Sequence, residues 1–386
     1  MIALRARRVL VDGIAREGWW VSIDGERIAD AGPEPAAHAE RVDLGDVDLV
    51  PGFIDLHCDC LYKLVHPRPT ANLPLKAALF ELDAMLVAHG ITTNFLCIAL
   101  EEDAREHRSE EHSLEIAEAL RAVHGSLRVD NKIHVRVDVC GDVIETARRL
   151  AGGGHVWLIS YMDHTPGTGQ YPDVKVWREQ YVSVARVPEE EVERKLAQRL
   201  EKHRMGDAMR ERVAQVAREH GLVLASHDDD SLEAVARALR LGAKISEFPV
   251  NEIAARASTE AGLGTVMGAP NARRGRSHVT NLSAREAIRA GWLNALASDF
   301  HPPSLLESVY QLAAEGVCSW PEAVALVSTG PARIAQLQDR GRIEPGLRAD
   351  LCAIDPSLAH PVVRQTWVAG TPVLGTAMRA SAGIIT

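Results

Sequence analysis

No stretch of this 386-residue chain is apolar for long enough to cross a membrane as a helix. Its first residues, Met1-Ile2-Ala3-Leu4-Arg5-Ala6-Arg7-Arg8, lack the apolar core and small-residue cleavage site of a secretion signal, so a cytoplasmic protein is expected. The six cysteines show no repeated knuckle spacing, which argues against a cysteine-built metal site. In a cytoplasmic chain they are expected as reduced thiols. Positive charge is also short: 43 Lys and Arg face 53 Asp and Glu, a formal net charge of −10. That deficit disfavours a nucleic-acid partner held through phosphate contacts. It leaves room for an anionic small molecule, provided arginines cluster locally.

What is present is a large apolar fraction, 46 %, enough for the core of one big domain with a small accessory unit. Residues 1–50 read as short strands (9–11, 19–23, 27–29) separated by the turn pairs Asp12-Gly13 and Asp24-Gly25. Strand-like runs then recur at 53–57, 92–99, 134–139, 156–162, 222–226, 244–248, 264–267 and 295–298. Helical patterns follow them at 76–89, 110–123, 141–151, 188–220, 230–241, 250–262, 283–291 and 303–315. Eight strands each followed by a helix predict an α/β fold, a (β/α)8 TIM barrel over 51–340. The long charged segment 188–220 reads as a solvated helical insertion. Strand patterns return at 351–354 and 364–368, so 1–50 and 341–386 are expected to fold together as a small β-sandwich domain, with 376–386 loosely held.

In such a barrel the chemistry sits at the C-terminal ends of the strands. The run Leu49-Val50-Pro51-Gly52-Phe53-Ile54-Asp55-Leu56 ends in His57 and Asp59, two residues apart and therefore on one face of a strand. Alone, that pair is equally a buried histidine with its aspartate and a metal-binding pair. Later strand ends supply Arg136 and Asp138, Asp163-His164, Ser226-His227-Asp228-Asp229-Asp230, Glu247-Phe248-Pro249 and Ser298-Asp299-Phe300-His301. So many histidines and acids at strand ends are costly to bury without a partner, and a metal ion is that partner. A set of imidazoles and carboxylates suits Zn²⁺ first, and also Mn²⁺, Fe²⁺ or Ni²⁺. Six candidate ligands exceed what one zinc takes, and predict two ions. One of Asp228, Asp229 and Asp230 is expected to cap the helix that follows.

Pro51-Gly52-Phe53-Ile54-Asp55-Leu56-His57, His227, Ser298-Asp299 and Gly346-Leu347-Arg348-Ala349-Asp350-Leu351 resemble the amidohydrolase superfamily. Several motifs narrow the likeness to the PhnM family of α-D-ribose 1-methylphosphonate 5-triphosphate diphosphatases. They are Asp59 with Lys63 and Pro67-Arg68-Pro69, Met162-Asp163-His164-Thr165-Pro166-Gly167, Ala225-Ser226-His227-Asp228-Asp229, Glu247-Phe248-Pro249, Met267-Gly268-Ala269-Pro270-Asn271, and Arg274 with Ser277-His278. The resemblance spans nearly the whole chain. It implies a hydrolase that attacks a ribose triphosphate with a metal-activated hydroxide and releases pyrophosphate in phosphonate breakdown.

It further implies that His57, Asp59 and Asp299 hold one ion and that His164 and His227 hold the second. Asp138 would bridge the two, and Asp299 would accept the proton of the attacking water. Lys63, Arg68, Arg274, His278 and His301 would face the phosphates. Two departures stand out: Cys60 where the family usually has asparagine, and Asp138 where it usually has glutamate. Alternatives remain for several residues. Asp138 could pair with Arg136 or a neighbour, and His164 could touch substrate rather than metal. A superfamily member acting on a C–N bond, as a deaminase or deacylase, is the second reading, and a metal-free barrel serving as a binding subunit is the third. The number of copies that assemble is left open, a homo-oligomer included.

Overall fold

The computed structural model describes residues 1–68, 71–101, 109–169, 173–185, 188–275, 281–357 and 360–375. Seven strands precede the barrel: β1 (Ile2–Arg5), β2 (Arg8–Val11), β3 (Ile14–Glu17), β4 (Trp20–Asp24), β5 (Arg27–Gly32), β6 (Glu40–Asp43) and β7 (Asp48–Pro51). The barrel strands are β8 (Phe53–Cys58), β9 (Ile91–Leu100), β10 (Asp130–Asp138), β11 (Val156–Met162), β12 (Val223–His227), β13 (Ile245–Glu247), β14 (Gly264–Gly268) and β15 (Ala295–Ala297). Three more close the chain: β16 (Leu351–Asp355), β17 (Val362–Val368) and β18 (Thr371–Leu374). All eight expected barrel strands are therefore present. Short strands at β1, β3, β6 and β7 add to those expected before residue 50. None of the described helices is long and apolar enough to cross a membrane.

The eight barrel strands pair in chain order, and every neighbouring pair is parallel. Parallel strands buried on both faces need near-continuous apolar runs, which explains why β9 is buried at all ten positions. The sheet closes through the segments that carry the candidate ligands. Asp299 N donates to His57 O at 2.8 Å, Asp59 N donates to Asp299 O at 2.7 Å, and Ser298 N donates to Asp55 Oδ1 at 3.0 Å.

Inside the barrel, Ile54, Leu56, Phe95, Leu158, Ile245 and Val266 meet Ile334 and Leu337, which plug its floor. Each such side chain contributes about 1.5–3 kcal/mol by leaving water. The plug depends on Gly330, because a Cβ there would stand 2.0 Å from Asn294 O. Gly330→Ala should therefore lose about 1–3 kcal/mol of stability through overpacking. Urea unfolding checks this, and an unchanged midpoint would contradict the close approach.

Both termini build one six-stranded sheet in the order β18-β17-β16-β7-β2-β3, where β7 pairs antiparallel with β16. A second sheet, β5-β4-β1-β6, shares an apolar core with it through Leu4, Val21, Ile23, Leu49, Leu351 and Trp367. The expected helix over 188–220 is two helices, Glu189–His203 and Gly206–His220, preceded by a third, Val174–Ala185. The insertion is not purely solvated: Trp177, Val192 and Leu196 form a small apolar cluster of their own.

The helix Leu232–Leu241 begins on Ser231, whose hydroxyl accepts from Ala234 N at 3.2 Å. It is thus Ser231, not one of the three preceding aspartates, that caps it. Those aspartates have other work. Asp229 accepts from the Ser226 and Ser246 hydroxyls at 2.5 and 2.7 Å, and Asp230 accepts from Gly169 N at 2.9 Å.

Candidate metal centre

Strict alternation along β8 would send Ile54 and Leu56 into the barrel and His57 out of it. An irregularity overrides this: Asp55 pairs with Asn94 and the next pair is Cys58 with Leu96, so β8 spends an extra residue in between. Such a bulge re-aims side chains next to it. The buried Asp55 carboxylate accepts from His57 N at 3.2 Å across the bulge. His57 consequently lies among His134, His227 and Phe248, with ring centroids at 5.3, 5.7 and 4.9 Å.

Three non-glycine residues at the C-terminal ends of barrel strands adopt left-handed backbone: Asp228 (φ 58°), Phe248 (φ 52°) and Asp299 (φ 56°). For phenylalanine this conformation is rare and costs free energy. All three line one cavity of about 180 Å³. The same cavity is lined by His57, Asp59, His164, His227, Arg136, Asn271 and Arg274. Five of the six expected ligands thus converge. Asp138 is not among the lining residues. Its carboxylate accepts from Arg199 Nη2 at 3.0 Å and from Cys140 N at 2.9 Å. Arg199 comes from the inserted helix Glu189–His203, so the partner of Asp138 is a residue 61 positions away rather than Arg136.

The expected phosphate-binding residues are dispersed. Arg274 lines the cavity. Lys63 lies over the Phe300 ring at 4.7 Å, at the cavity's edge. Arg68 is exposed, and it bridges to Ala71. His301 Nδ1 is engaged by Ser304 Oγ at 2.8 Å, at the start of the helix Pro303–Ala314. His278 lies outside the described residues. Cys60 does not line the cavity. It is buried, with its sulfur 3.4 Å from that of Cys58.

His57 and His164 are held as neutral imidazoles. Burial, then Arg136 and His227, hold the His57 pKa well below the usual range. Burial also lowers that of His164. For His227 burial opposes the charge, but the adjoining Asp228 carboxylate outweighs it and raises the pKa. His57 Nδ1 lies 3.1 Å from Glu247 Oε1, and His227 Nδ1 lies 3.0 Å from Asp228 Oδ2. A carboxylate only accepts, so His57 carries its proton on Nδ1, toward Glu247, and keeps an Nε2 lone pair. Two triads bring donor atoms within 4.8 Å of one another here, His57 with His227 and Glu247, and His164 with His227 and Asp228.

The donor set suits a divalent cation on electrostatic grounds. The Asp299 pKa is pushed up to about 6, first by burial and next by the neighbouring Asp59. A cation beside both carboxylates relieves that repulsion, and imidazole with carboxylate is the ligand chemistry of zinc and its first-row neighbours.

Glu247 is a residue whose role the sequence left unassigned. It is fully buried beneath the cavity, between His57 and His134. Its strand-end position and its place in the Glu247-Phe248-Pro249 motif were the signals. By fixing the His57 ring it should support metal binding, so Glu247→Ala should weaken metal affinity by roughly tenfold to a hundredfold. A chelator-competition titration measures this, and unaltered affinity would show that the contact is incidental.

Comparison with known proteins follows the same line. Residues 179–374 match the family model described as the amidohydrolase family. The chain is 34 % identical over 332 residues to the α-D-ribose 1-methylphosphonate 5-triphosphate diphosphatase of Escherichia coli K12, covering 84 % of this chain and 88 % of that one. Solved structures share its fold. N-isopropylammelide isopropylaminohydrolase from Burkholderia multivorans gives a TM-score of 0.65 at 17 % identity, over 97 % of this chain and 99 % of that one. N-acetyl-D-glucosamine-6-phosphate deacetylase from Mycobacterium smegmatis gives 0.62 at 18 %, over 97 % and 100 %.

Proposed function

The chain belongs to the amidohydrolase family, and we propose that within it this protein is a metal-dependent phosphoanhydride hydrolase that releases pyrophosphate from a ribose triphosphate. The observation that carries the reading is one cavity in which imidazoles and carboxylates converge beside two arginines, Arg136 and Arg274. The arginines suit a phosphate better than a neutral amide. The likeness to the Escherichia coli diphosphatase supports the same substrate class.

His57, Asp59, His164, His227 and Asp299 would hold the metal, with Zn²⁺ the best match and Mn²⁺, Fe²⁺ or Ni²⁺ alternatives. The bound ion supplies one chemical property, the acidification of water to a pKa of about 7. The remaining work falls to the chain. Asp299 would accept the proton of the attacking water on a carboxylate oxygen. Arg136 and Arg274 face the charge that develops on the phosphate oxygens. Phe248, Pro249, Met267 and Pro270 give the cavity apolar walls, which strengthen those charge interactions by excluding water.

The test is to load the purified protein with Zn²⁺ or Mn²⁺ and assay ribose and nucleoside triphosphates for pyrophosphate release. Cyclic amides and aminated bases are run alongside. Turnover of an amide without pyrophosphate from any triphosphate would replace this reading with a C–N hydrolase.

A further inference from the structure

Arg136 occupies an unusual place. It projects from β10 into the barrel, only 5 % exposed, and lines the same cavity as the candidate ligands. Its Nη1 donates to Asp59 Oδ2 at 3.0 Å. Its Nη2 lies 3.4 Å from His227 Nε2. A guanidinium nitrogen can only donate, so in that contact His227 Nε2 offers its lone pair. A guanidinium has five donors and no acceptor, and it stays charged at any ordinary pH. Its two arms therefore cover one lone pair on each of two candidate ligands, from the first and fifth barrel strands.

From this arrangement we propose that Arg136 is a resident counter-ion that a metal ion displaces from Asp59 and His227, leaving the guanidinium in the cavity as the cation that meets the anionic substrate. The inference rests on the metal-site reading above. Asp59, Asp228, Glu247 and Asp299 crowd four acidic groups around the site, and an arginine among them lets the metal-free chain bury those groups. Ion and guanidinium cannot hold the same lone pairs, so each weakens the other's hold, and the coupling is reciprocal. Once displaced, the arginine cannot leave, because its strand is buried and paired on both sides. An anion entering through the cavity meets it beside Arg274.

The expected signature is a pair of opposite effects. In Arg136→Met the competitor is gone, so Zn²⁺ should bind about five- to a hundredfold tighter in chelator-competition titrations. In the same zinc-loaded variant, pyrophosphate should bind about a hundredfold more weakly by calorimetry, since a charge-assisted bidentate partner is lost. Arg136→Lys keeps the charge without the fork. It should fall between the two, and it stands in if the methionine variant does not fold. Weaker or unchanged zinc binding in these variants would overturn the displacement. Tighter zinc with unaltered pyrophosphate binding would overturn the role toward substrate. His227→Gln should weaken zinc binding in either background. If it does not, the metal-site reading itself fails, and this inference falls with it.

Discussion

Asp299→Asn should lower turnover by about 10²–10⁴-fold, the usual worth of a positioned acid–base group. The amide has the shape of the carboxyl but cannot take a proton from water. Asparagine also tolerates the left-handed backbone found here (φ 56°), so the barrel closure through Asp299 N and O should survive. A thermal midpoint within a few degrees of the parent would confirm the fold. Metal content must be measured on the same preparation. Full metal with lost turnover assigns Asp299 to proton transfer, whereas lost metal assigns it to coordination alone. Retained turnover would remove it from the mechanism.

Stripping the metal should abolish turnover altogether, and adding back Zn²⁺ or Mn²⁺ should restore it. Activity that survives exhaustive chelation would refute the metal-centre reading. The recovery should depend on pH in a particular direction. In the metal-free protein burial and Asp59 raise the Asp299 pKa to about 6, so below that pH the carboxyl holds a proton that an ion must expel. Metal affinity should then fall by at least about tenfold per pH unit below about 6. His227, whose pKa is raised by Asp228, adds a second proton to be expelled, while His57, with its pKa lowered by burial, adds none near neutrality.

Linkage gives the stability of the metal-free protein the opposite slope for this group. A carboxyl with a folded pKa above its unfolded value contributes stability in acid that is lost as pH rises from about 4 through about 6. A metal affinity that stayed flat from pH 7 to 5 would exclude Asp299 as a ligand.

The contrast between His57 and Asp138 shows how far the sequence could be read. Both were placed at strand ends by alternating strand and helix patterns, and both strands are where the patterns put them. For His57 the reasoning from period-two alternation worked only because a bulge in β8 turned the ring inward, a feature with no sequence signature of its own. For Asp138 the sequence offered Arg136 as the neighbouring partner. The actual partner, Arg199, comes from an inserted helix that charge patterning alone assigned to solvent. His301 illustrates the same limit: it follows Asp299 by two residues, yet its ring is taken up by the start of the next helix.

Local pattern by itself determined the barrel, the count of its strands and the β unit shared by the two termini, and it brought five of the six expected ligands to one cavity. Each of these follows from hydrophobic periodicity and from the rule that barrel chemistry gathers at strand ends. Only the tertiary structure decided which charged group meets which. It set Arg136 between Asp59 and His227, Arg199 on Asp138 and Glu247 beneath His57. The physical reason is that a buried charge must find a partner, and partners are chosen by proximity in space, across separations of 61 to 190 residues that no local pattern encodes.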